Sequence, residues 1–307
     1  MTKHTMAALL AGALLVAGCG ANPPEAEGVL DGKQSGPAAP VQVKDQALHD
    51  KLPDKVKQAG KLVSVNNGSF PPYEIAGADG RSLTGASEDI SQALAQILGV
   101  KIEHVTVDGL PSSLTGIAAG RYDFAIGPVG DFKDRQKGND FVDWVQEFVV
   151  FAVPKGNPKQ IKSVADTCGL RISVMAGGSA EAVIKGQSAT CAKAGKPKIT
   201  VQSYKDQPTS VLAVKSGRAD AFFSSQAPLT YFVQQSGGTL ELAGKGQANG
   251  FDDLFQGAVV PKDSPLGEVL QAGFQKLIEN GAYQQIMSKW GLSDNTLDKA
   301  GINLAKS

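Results

Sequence analysis

The sequence repeats one local pattern, in which a helical run ends at a glycine, an arginine follows, and an aspartate leads into a buried strand. It occurs as GRYDFAIG from Gly120 and again as GRADAFFS from Gly217. A glycine can end a helix in the left-handed region, and an aspartate can turn the chain into a strand. The recurrence favours two lobes of like construction.

Short apolar runs alternate with helical periods from about Gly60 onward, which is typical of βαβ units and parallel sheet. The clearest helix is SEDISQALAQILG, for which we predict an N-cap at Ser87, an end at Gly99 and one buried face. KIEHVTV, residues 101–107, alternates like a half-buried strand. These elements predict an α/β fold.

Two similar apolar runs each lead into VPK, within the segments 147–158 and 255–265. They would carry the chain from the first lobe to the second and back, leaving a cleft between the lobes, where ligands generally bind. The predicted organisation is a first part of lobe 1 at 46–150, lobe 2 at 151–255, and a return to lobe 1 with C-terminal helices at 256–307. Each lobe is expected to hold a mainly parallel sheet flanked by helices.

The amino-terminal segment is typical of an exported protein. A lysine precedes an apolar run at 6–16, which is too short to span a bilayer. The segment VAGC, ending at Cys19, resembles the lipobox of bacterial lipoproteins, which implies a signal peptide at 1–18 and a lipid on the Cys19 sulfur. The alternative is a plain cleaved signal with an incidental cysteine. Residues 19–45 are rich in Gly, Pro and Ala and are predicted to form a flexible tether.

Charge and cysteine content restrict the partners. Thirty basic and thirty acidic residues balance, which argues against a nucleic-acid surface. In an oxidising compartment Cys168 and Cys191 are predicted to form a disulfide, with two buried thiols as the alternative. The chain has no CxxC, and its three histidines offer no zinc spacing, so we expect neither a metal nor a cofactor.

Several motifs in the right order resemble one family. They are FPPYEIAGADGRSLTG, DISQALAQILGVKIEHV, GRYDFAIG through Arg135, SGRADA and GAYQQIMSKWGL, and the likeness covers roughly residues 60–292. The chain resembles the extracytoplasmic solute-binding proteins of ABC importers for polar amino acids. The resemblance implies a two-lobed, type II periplasmic-binding-protein-like clamshell that acts as a monomer without catalysis. It also implies delivery of the solute to a membrane permease and its ATPase.

Arg135 matches the family's carboxylate-binding arginine. Guanidinium is planar, permanently charged and shaped to hold both oxygens of a carboxylate, whereas lysine acts as a point charge. The alternative is a surface ion pair with a nearby aspartate, namely Asp131, Asp134 or Asp140.

Other positions of the resemblance complete the expected site. Phe70 matches an aromatic wall beside the ligand, and Tyr73 would line or support it, unless both belong to the core. In VMAGGSAE, Gly178 and Ser179 match a lobe 2 loop that meets the same carboxylate, with an ordinary N-cap at Ser179 as the alternative. The remaining candidates are Asn67, Pro128, Gly130 and Ser225.

Two departures from the family pattern bear on the solute. The family usually has Thr where this chain has Gly130, and Asp, the partner of the α-ammonium, where it has Ser225. A neutral hydroxyl cannot balance a buried ammonium. These departures predict a carboxylate-bearing solute with a modified, displaced or absent amine, unless Glu88, Asp252 or Asp253 supplies the charge.

Two other functions remain open at this point. The same clamshell can report a solute to a receptor, as a sensing lipoprotein. Some relatives are enzymes, including a cyclohexadienyl dehydratase, and catalysis would need an acid or base with a shifted pKa in the cleft. Ser179 does not lie in a nucleophile motif, because G-x-S-x-G requires glycine at Glu181.

Overall fold

The computed structural model describes residues 41–251 and 253–306. The predicted signal peptide, Cys19 and most of the predicted tether lie outside the described residues, as does Asp252. None of the helices among the described residues combines the length and the apolar character that a membrane span requires.

The helices begin and end as follows: α1 (Gln46–Asp50), α2 (Asp54–Ala59), α3 (Ala86–Leu98), α4 (Leu110–Ala118), α5 (Ser179–Lys193), α6 (Gln207–Lys215), α7 (Gln226–Gln234), α8 (Leu266–Glu279) and α9 (Ala282–Lys289). The strands are β1 (Lys61–Asn66), β2 (Ser69–Phe70), β3 (Glu74–Ala76), β4 (Leu83–Thr84), β5 (Lys101–Thr106), β6 (Ala125–Gly130), β7 (Asn139–Glu147), β8 (Val149–Pro154), β9 (Arg171–Met175), β10 (Thr200–Tyr204), β11 (Ala221–Ser225), β12 (Leu240–Ala243), β13 (Leu254–Pro261) and β14 (Gly301–Ile302).

Lobe 1 is the group of elements from α1 to β7 together with β13, α8, α9 and β14. Its larger sheet has the order β14-β7-β13-β6, and β1 pairs with β5 in parallel beside it. The core lies between these strands and the helices α3, α8 and α9. Trp144 and Phe274 stack at its centre with ring centroids 5.7 Å apart.

Lobe 2 contains β8 to β12 and α5 to α7, around a sheet of order β10-β9-β11-β8-β12. Its apolar core includes Phe151 and Phe223, with ring centroids 4.5 Å apart. The predicted disulfide is present, joining Cys168 to Cys191 with a Cα–Cα distance of 5.6 Å. It ties α5 to the segment that precedes β9.

The α/β class with two lobes is confirmed, but the sheets are mixed rather than mainly parallel. In lobe 2, β10, β9 and β11 are parallel, whereas β8 runs antiparallel to β11 and β12. Met175 and Ser225, at the carboxyl ends of parallel strands, line the same cavity as Val149, at the start of β8. Because β8 follows the crossing from lobe 1, it begins at the cleft, where β9 and β11 end. It is therefore antiparallel to β11.

The start of α3 differs from the prediction by two residues. Gly85, with φ +125°, is the N-cap, and Ser87 lies buried within the first turn. A Cβ at Gly85 would lie 2.1 Å from the carbonyl oxygen of Tyr73, so only glycine fits there. The Ser87 hydroxyl donates instead to the carbonyl oxygen of Gly127 and ties the helix to β6.

Candidate functional site

A cavity of about 70 Å³ lies between the two lobes. It brings together eight predicted site residues from distant parts of the sequence: Asn67, Phe70, Pro128, Gly130 and Arg135 from lobe 1, and Gly178, Ser179 and Ser225 from lobe 2. The carboxyl ends of β1, β6, β9 and β11 contribute to its lining. This is where an α/β fold generally binds its ligands.

Arg135 reaches across the cavity from lobe 1 to lobe 2. It opens a 3-10 turn after β6, and the Asp134 carboxylate accepts from its backbone N–H at 2.9 Å. Its Nη1 donates to the carbonyl oxygen of Gly130 at 2.8 Å, and its Nη2 donates to that of Gly177 in lobe 2 at 2.9 Å. Phe132 packs against the guanidinium, with Cζ 5.1 Å from the ring centroid.

The guanidinium forms no ion pair with any described residue, so the alternative of a surface ion pair is not realised. Asp131 accepts from Gln136, and Asp140 pairs with Lys262 at 2.7 Å. Burial lowers the pKa of Arg135, and the charges of Asp134 and Asp131 oppose that shift. Guanidinium keeps its charge under such conditions, and its N–H groups beyond the two carbonyl bonds remain available to an anion.

Gly130 has a steric reason to lack a side chain. A Cβ at this position would lie 2.6 Å from the Phe132 ring and 3.3 Å from Arg135 Nη1. The larger residue usual in the family would therefore push against the arginine unless Phe132 moved. Glycine in place of the threonine usual in the family therefore leaves room for the ring of Phe132.

The lobe 2 loop is fitted closely against lobe 1. Gly177 has φ +71°, and a Cβ there would lie 2.6 Å from Pro111 Cγ of α4. Gly178 is the N-cap of α5 and Ser179 its first residue, without a side-chain capping bond, so the alternative of an N-cap at Ser179 is not observed. The N–H groups at the start of α5 thus lie at the cavity, where an anion is stabilised.

The two aromatic candidates occupy different places. Phe70 lines the cavity, whereas Tyr73 is fully buried and does not line it. The two rings are stacked, with centroids 5.6 Å apart. Tyr73 also packs edge-on against Trp144, and its hydroxyl lies 3.4 Å from Glu147 Oε2. Burial raises the pKa of the Tyr73 hydroxyl well above its usual value. Tyr73 therefore supports the wall that Phe70 presents and does not itself reach the cavity.

The position where the family has Asp is neutral in this structure as well. Ser225 is the N-cap of α7, and its hydroxyl accepts from Gln256 Nε2 at 3.3 Å. The other end of this amide, Gln256 Oε1, is buried without a hydrogen-bond partner. Across the cleft, Asn67 Nδ2 lies 3.9 Å from Met175 Sδ.

Of the acids that the sequence offered as a source of negative charge, the two described ones, Glu88 and Asp253, do not line this cavity. Glu88 Oε2 lies 2.7 Å from His104 Nε2, and Asp253 is exposed. Glu74 of β3, which sequence reasoning missed, does line it and is only 6% exposed. Burial raises the pKa of Glu74 to about 8.

Within the described ranges, no group of three or more His, Cys, Asp or Glu side chains could hold a metal ion. Among the described residues that line the cavity, the ionisable side chains are Arg135 and Glu74, so the chemistry available there is ion pairing and hydrogen bonding.

Comparison with known proteins agrees with this geometry. The profile of the family "Bacterial extracellular solute-binding proteins, family 3" matches residues 62–293. The chain is 30% identical over 257 residues to the arginine-binding protein ArgT of Corynebacterium glutamicum. The aligned region covers 82% of this chain and 81% of ArgT. It is 27% identical over 249 residues to the L-cystine-binding protein TcyJ of Escherichia coli K12, covering 80% and 88% of the two chains.

A solved structure supports the fold. The amino acid ABC transporter substrate-binding protein AbpA of Streptococcus pneumoniae, bound to L-arginine, matches with a TM-score of 0.66 at 24% identity, over 78% of this chain and 99% of that one. The expected type II clamshell is thereby confirmed. The family match and the relative at 30% identity together show that this chain belongs to the bacterial extracellular solute-binding proteins of family 3.

Proposed function

We propose that this solute-binding protein captures a small amino acid or amino-acid derivative through its carboxylate and delivers it to the permease and ATPase of an ABC transporter. The cleft between the lobes is the binding site, and Arg135 is the carboxylate receptor. Phe70, Asn67, Pro128, Gly130, Gly178, Ser179 and Ser225 complete the proposed site.

One observation carries this proposal: the partly buried guanidinium of Arg135 lies between the lobes and forms no ion pair with any carboxylate among the described side chains. An exposed ion pair contributes less than about 1 kcal/mol because water competes for both charges. A hydrogen bond to a charged group sealed from water contributes roughly 1.5 to 3 kcal/mol. The interlobe position therefore makes Arg135 an effective receptor for an anionic group.

The relatives support an amino acid as the solute. The printed names of ArgT and TcyJ give arginine and L-cystine as what those proteins bind, and both solutes carry a free carboxylate. Binding without chemical conversion is the function we propose, since the curated relatives named here are binding proteins. A sensing role would use the same site and would differ only in the membrane partner.

We further propose that the protein acts outside the cytoplasm, as a monomer held to the membrane by a lipid on Cys19. The sequence VAGC and the signal-like segment before it support this location. Mass spectrometry of the membrane fraction tests it: a lipid-modified peptide that begins at Cys19 is expected, and an unmodified Cys19 would contradict it.

A thermal-shift screen tests the proposed function. The mature chain is heated with each common amino acid, with N-modified amino acids, with opines and with simple carboxylates. A bound solute at a hundredfold excess over its Kd should stabilise the protein by about 2.7 kcal/mol, or roughly 5 to 10 °C. The absence of stabilisation by every carboxylate would overturn the proposal, and loss of solute mass on incubation would show catalysis instead.

A further inference from the structure

Asp131 is a buried acid shortly before Arg135 in the chain, and it joins two distant parts of lobe 1. Its side chain is 1% exposed and does not line the cavity. Its Oδ1 accepts a hydrogen bond from Gln136 Nε2 at 2.7 Å, and its Oδ2 accepts one from the backbone N–H of Ala305 at 2.8 Å. One carboxyl therefore connects the turn that carries Arg135, at 131–138, to the carboxyl-terminal segment.

Backbone bonds give this turn its shape. The N–H groups of Arg135 and Gln136 both donate to the carbonyl oxygen of Phe132, at 2.9 and 3.0 Å. These bonds lie within the turn and do not attach it to the rest of lobe 1. At the start of the turn, the N–H of Asp131 donates to the carbonyl oxygen of Phe255 in β13 at 2.9 Å. The side-chain bond from Gln136 to the Asp131 carboxyl is a second attachment, next to Arg135 in the chain.

The carboxyl-terminal segment, at 301–305, is itself bonded to β7 at several points. Its β14 pairs antiparallel with β7, and Asn303 exchanges two hydrogen bonds with the backbone of Phe141, each at 2.9 Å. The N–H of Leu304 donates to the Asp143 carboxyl at 3.0 Å. A segment held to the sheet in this way is a firm anchor for the acid that it bonds.

The guanidinium of Arg135 depends on a fixed turn. A carboxylate forms two parallel bonds with a guanidinium only when the planar fork has the right place and orientation. The fork already donates to the carbonyl oxygens of Gly130 in lobe 1 and Gly177 in lobe 2, so a shift of the turn would move it relative to both lobes. Side chains that bind a ligand are held precisely when neighbouring hydrogen bonds lock their surroundings.

We infer that Asp131 is a positioning residue for solute capture, because it fastens the turn that carries Arg135 to the carboxyl-terminal segment. The inference rests on the proposed function, in which the guanidinium receives the carboxylate of the solute. Asp131 acts through Gln136 and not by an ion pair, since the guanidinium forms none with any described residue.

Two variants separate positioning from stability. Gln136→Met removes the donor, keeps the length of the side chain and leaves the bond from Ala305 in place. Asp131→Ala removes both bonds and should lower the Tm, because the buried N–H of Ala305 loses its acceptor. Gln284→Met, at an exposed position of α9, is the matched control. Each change is made in the wild type and in Arg135→Lys.

Hydrogen exchange followed by mass spectrometry tests the anchoring without a solute. Exchange at 131–138 should rise in both Gln136→Met and Asp131→Ala, whereas exchange at 301–306 should rise in Asp131→Ala alone. Isothermal titration calorimetry with L-arginine, L-cystine, L-glutamine and acetate then measures the effect on capture of a carboxylate.

We expect Gln136→Met and Asp131→Ala to weaken binding of the carboxylate at least about fivefold, as for the loss of one hydrogen bond, and Gln284→Met to leave it unchanged. In Arg135→Lys, the further change Gln136→Met should alter the affinity by less than about twofold, because the fork that Asp131 positions is gone. A general loss of structure would instead add to the effect of Arg135→Lys.

Wild-type affinity in Gln136→Met would overturn the inference, and so would equal losses from Gln136→Met in the wild type and in Arg135→Lys. Unchanged exchange at 131–138 in both variants would also overturn it. In each of these cases the proposed function stands as long as a carboxylate binds and Arg135→Lys weakens it. If no carboxylate binds to the wild type, the proposed function fails, and this inference fails with it.

Discussion

Nη2 of Arg135 donates a hydrogen bond to the carbonyl oxygen of Gly177 at 2.9 Å, and this bond joins lobe 1 to lobe 2 across the cavity. The ring of Phe132 supports the contact from lobe 1, and it lies 6.0 Å from the ring of Phe251 in lobe 2. The residue proposed to bind the solute therefore also links the lobes, so solute binding and lobe closure should be coupled.

Phe70 and Tyr73 should respond differently to substitution. Phe70→Ala removes the aromatic wall of the cavity and should weaken solute binding by about 0.5 to 2 kcal/mol. Tyr73→Phe removes only a hydroxyl that lies 3.4 Å from Glu147, so affinity should stay within about twofold. Titration calorimetry of the two variants makes the comparison. Equal losses of affinity would contradict the places that the structure gives to these rings.

Asp143 should make the folded state less stable as pH rises. Burial, reinforced by the charge of Asp131, raises the pKa of Asp143 to about 8, above its ordinary value of 3.8. The folded state then binds more protons than the unfolded state between about pH 4 and 8, so the free energy of unfolding falls across this window and stays low above it. Glu147, whose pKa burial raises to about 7, acts in the same direction.

Asp143→Asn should remove part of this pH dependence. The amide oxygen still accepts from the N–H of Leu304, and the amide nitrogen can donate to Asp131. Relative to the wild type, the variant should gain at least about 1 kcal/mol between pH 5 and pH 8 in urea unfolding. The exposed Asp298→Asn is the control. Parallel curves for the wild type and Asp143→Asn would mean that Asp143 is ionised in the folded protein.

The disulfide should stabilise lobe 2 without affecting the site. Cys168 and Cys191 are separated by 23 residues, and closing a loop of this size contributes about 3 kcal/mol. Reduction should therefore lower Tm, while Cys168→Ala with Cys191→Ala should show the lower Tm with or without reductant. Neither cysteine lines the cavity, so solute affinity at 25 °C should be unchanged in the double variant. A large loss of affinity would reveal a coupling between α5 and the site.

The resemblance to the family, rather than local pattern, predicts roles for Arg135 and for the loop before Ser179. The structure places both at the cavity between the lobes. The spacing of apolar residues predicts α3 but not the residue at which it begins. A side chain at Gly85 would clash with the carbonyl oxygen of Tyr73, and the helical pattern of α3 carries no information about that contact.

The other differences between prediction and structure concern which side chains face the cavity and in which direction β8 runs. Phe70 and Tyr73 are close in sequence, and only the packing of Trp144 decides which ring is covered. Glu74 was missed because short strands give too few residues for an alternation pattern to show which side faces a cavity. The direction of β8 depends on the point at which the chain enters lobe 2 from lobe 1. A local run of apolar residues predicts a strand but not its direction.

The central claim is tested most directly by comparing two arginines. Arg135→Lys keeps a positive charge but loses the planar fork and the two carbonyl bonds, whereas Arg121→Lys changes an exposed arginine outside the cavity. The Kd of the best solute from the thermal screen is measured for both variants and the wild type. We predict that Arg135→Lys weakens binding at least about tenfold, as expected for the loss of hydrogen bonds to a charged group, and that Arg121→Lys leaves it unchanged. Wild-type affinity in Arg135→Lys would contradict the account, because the solute's carboxylate would then be held elsewhere.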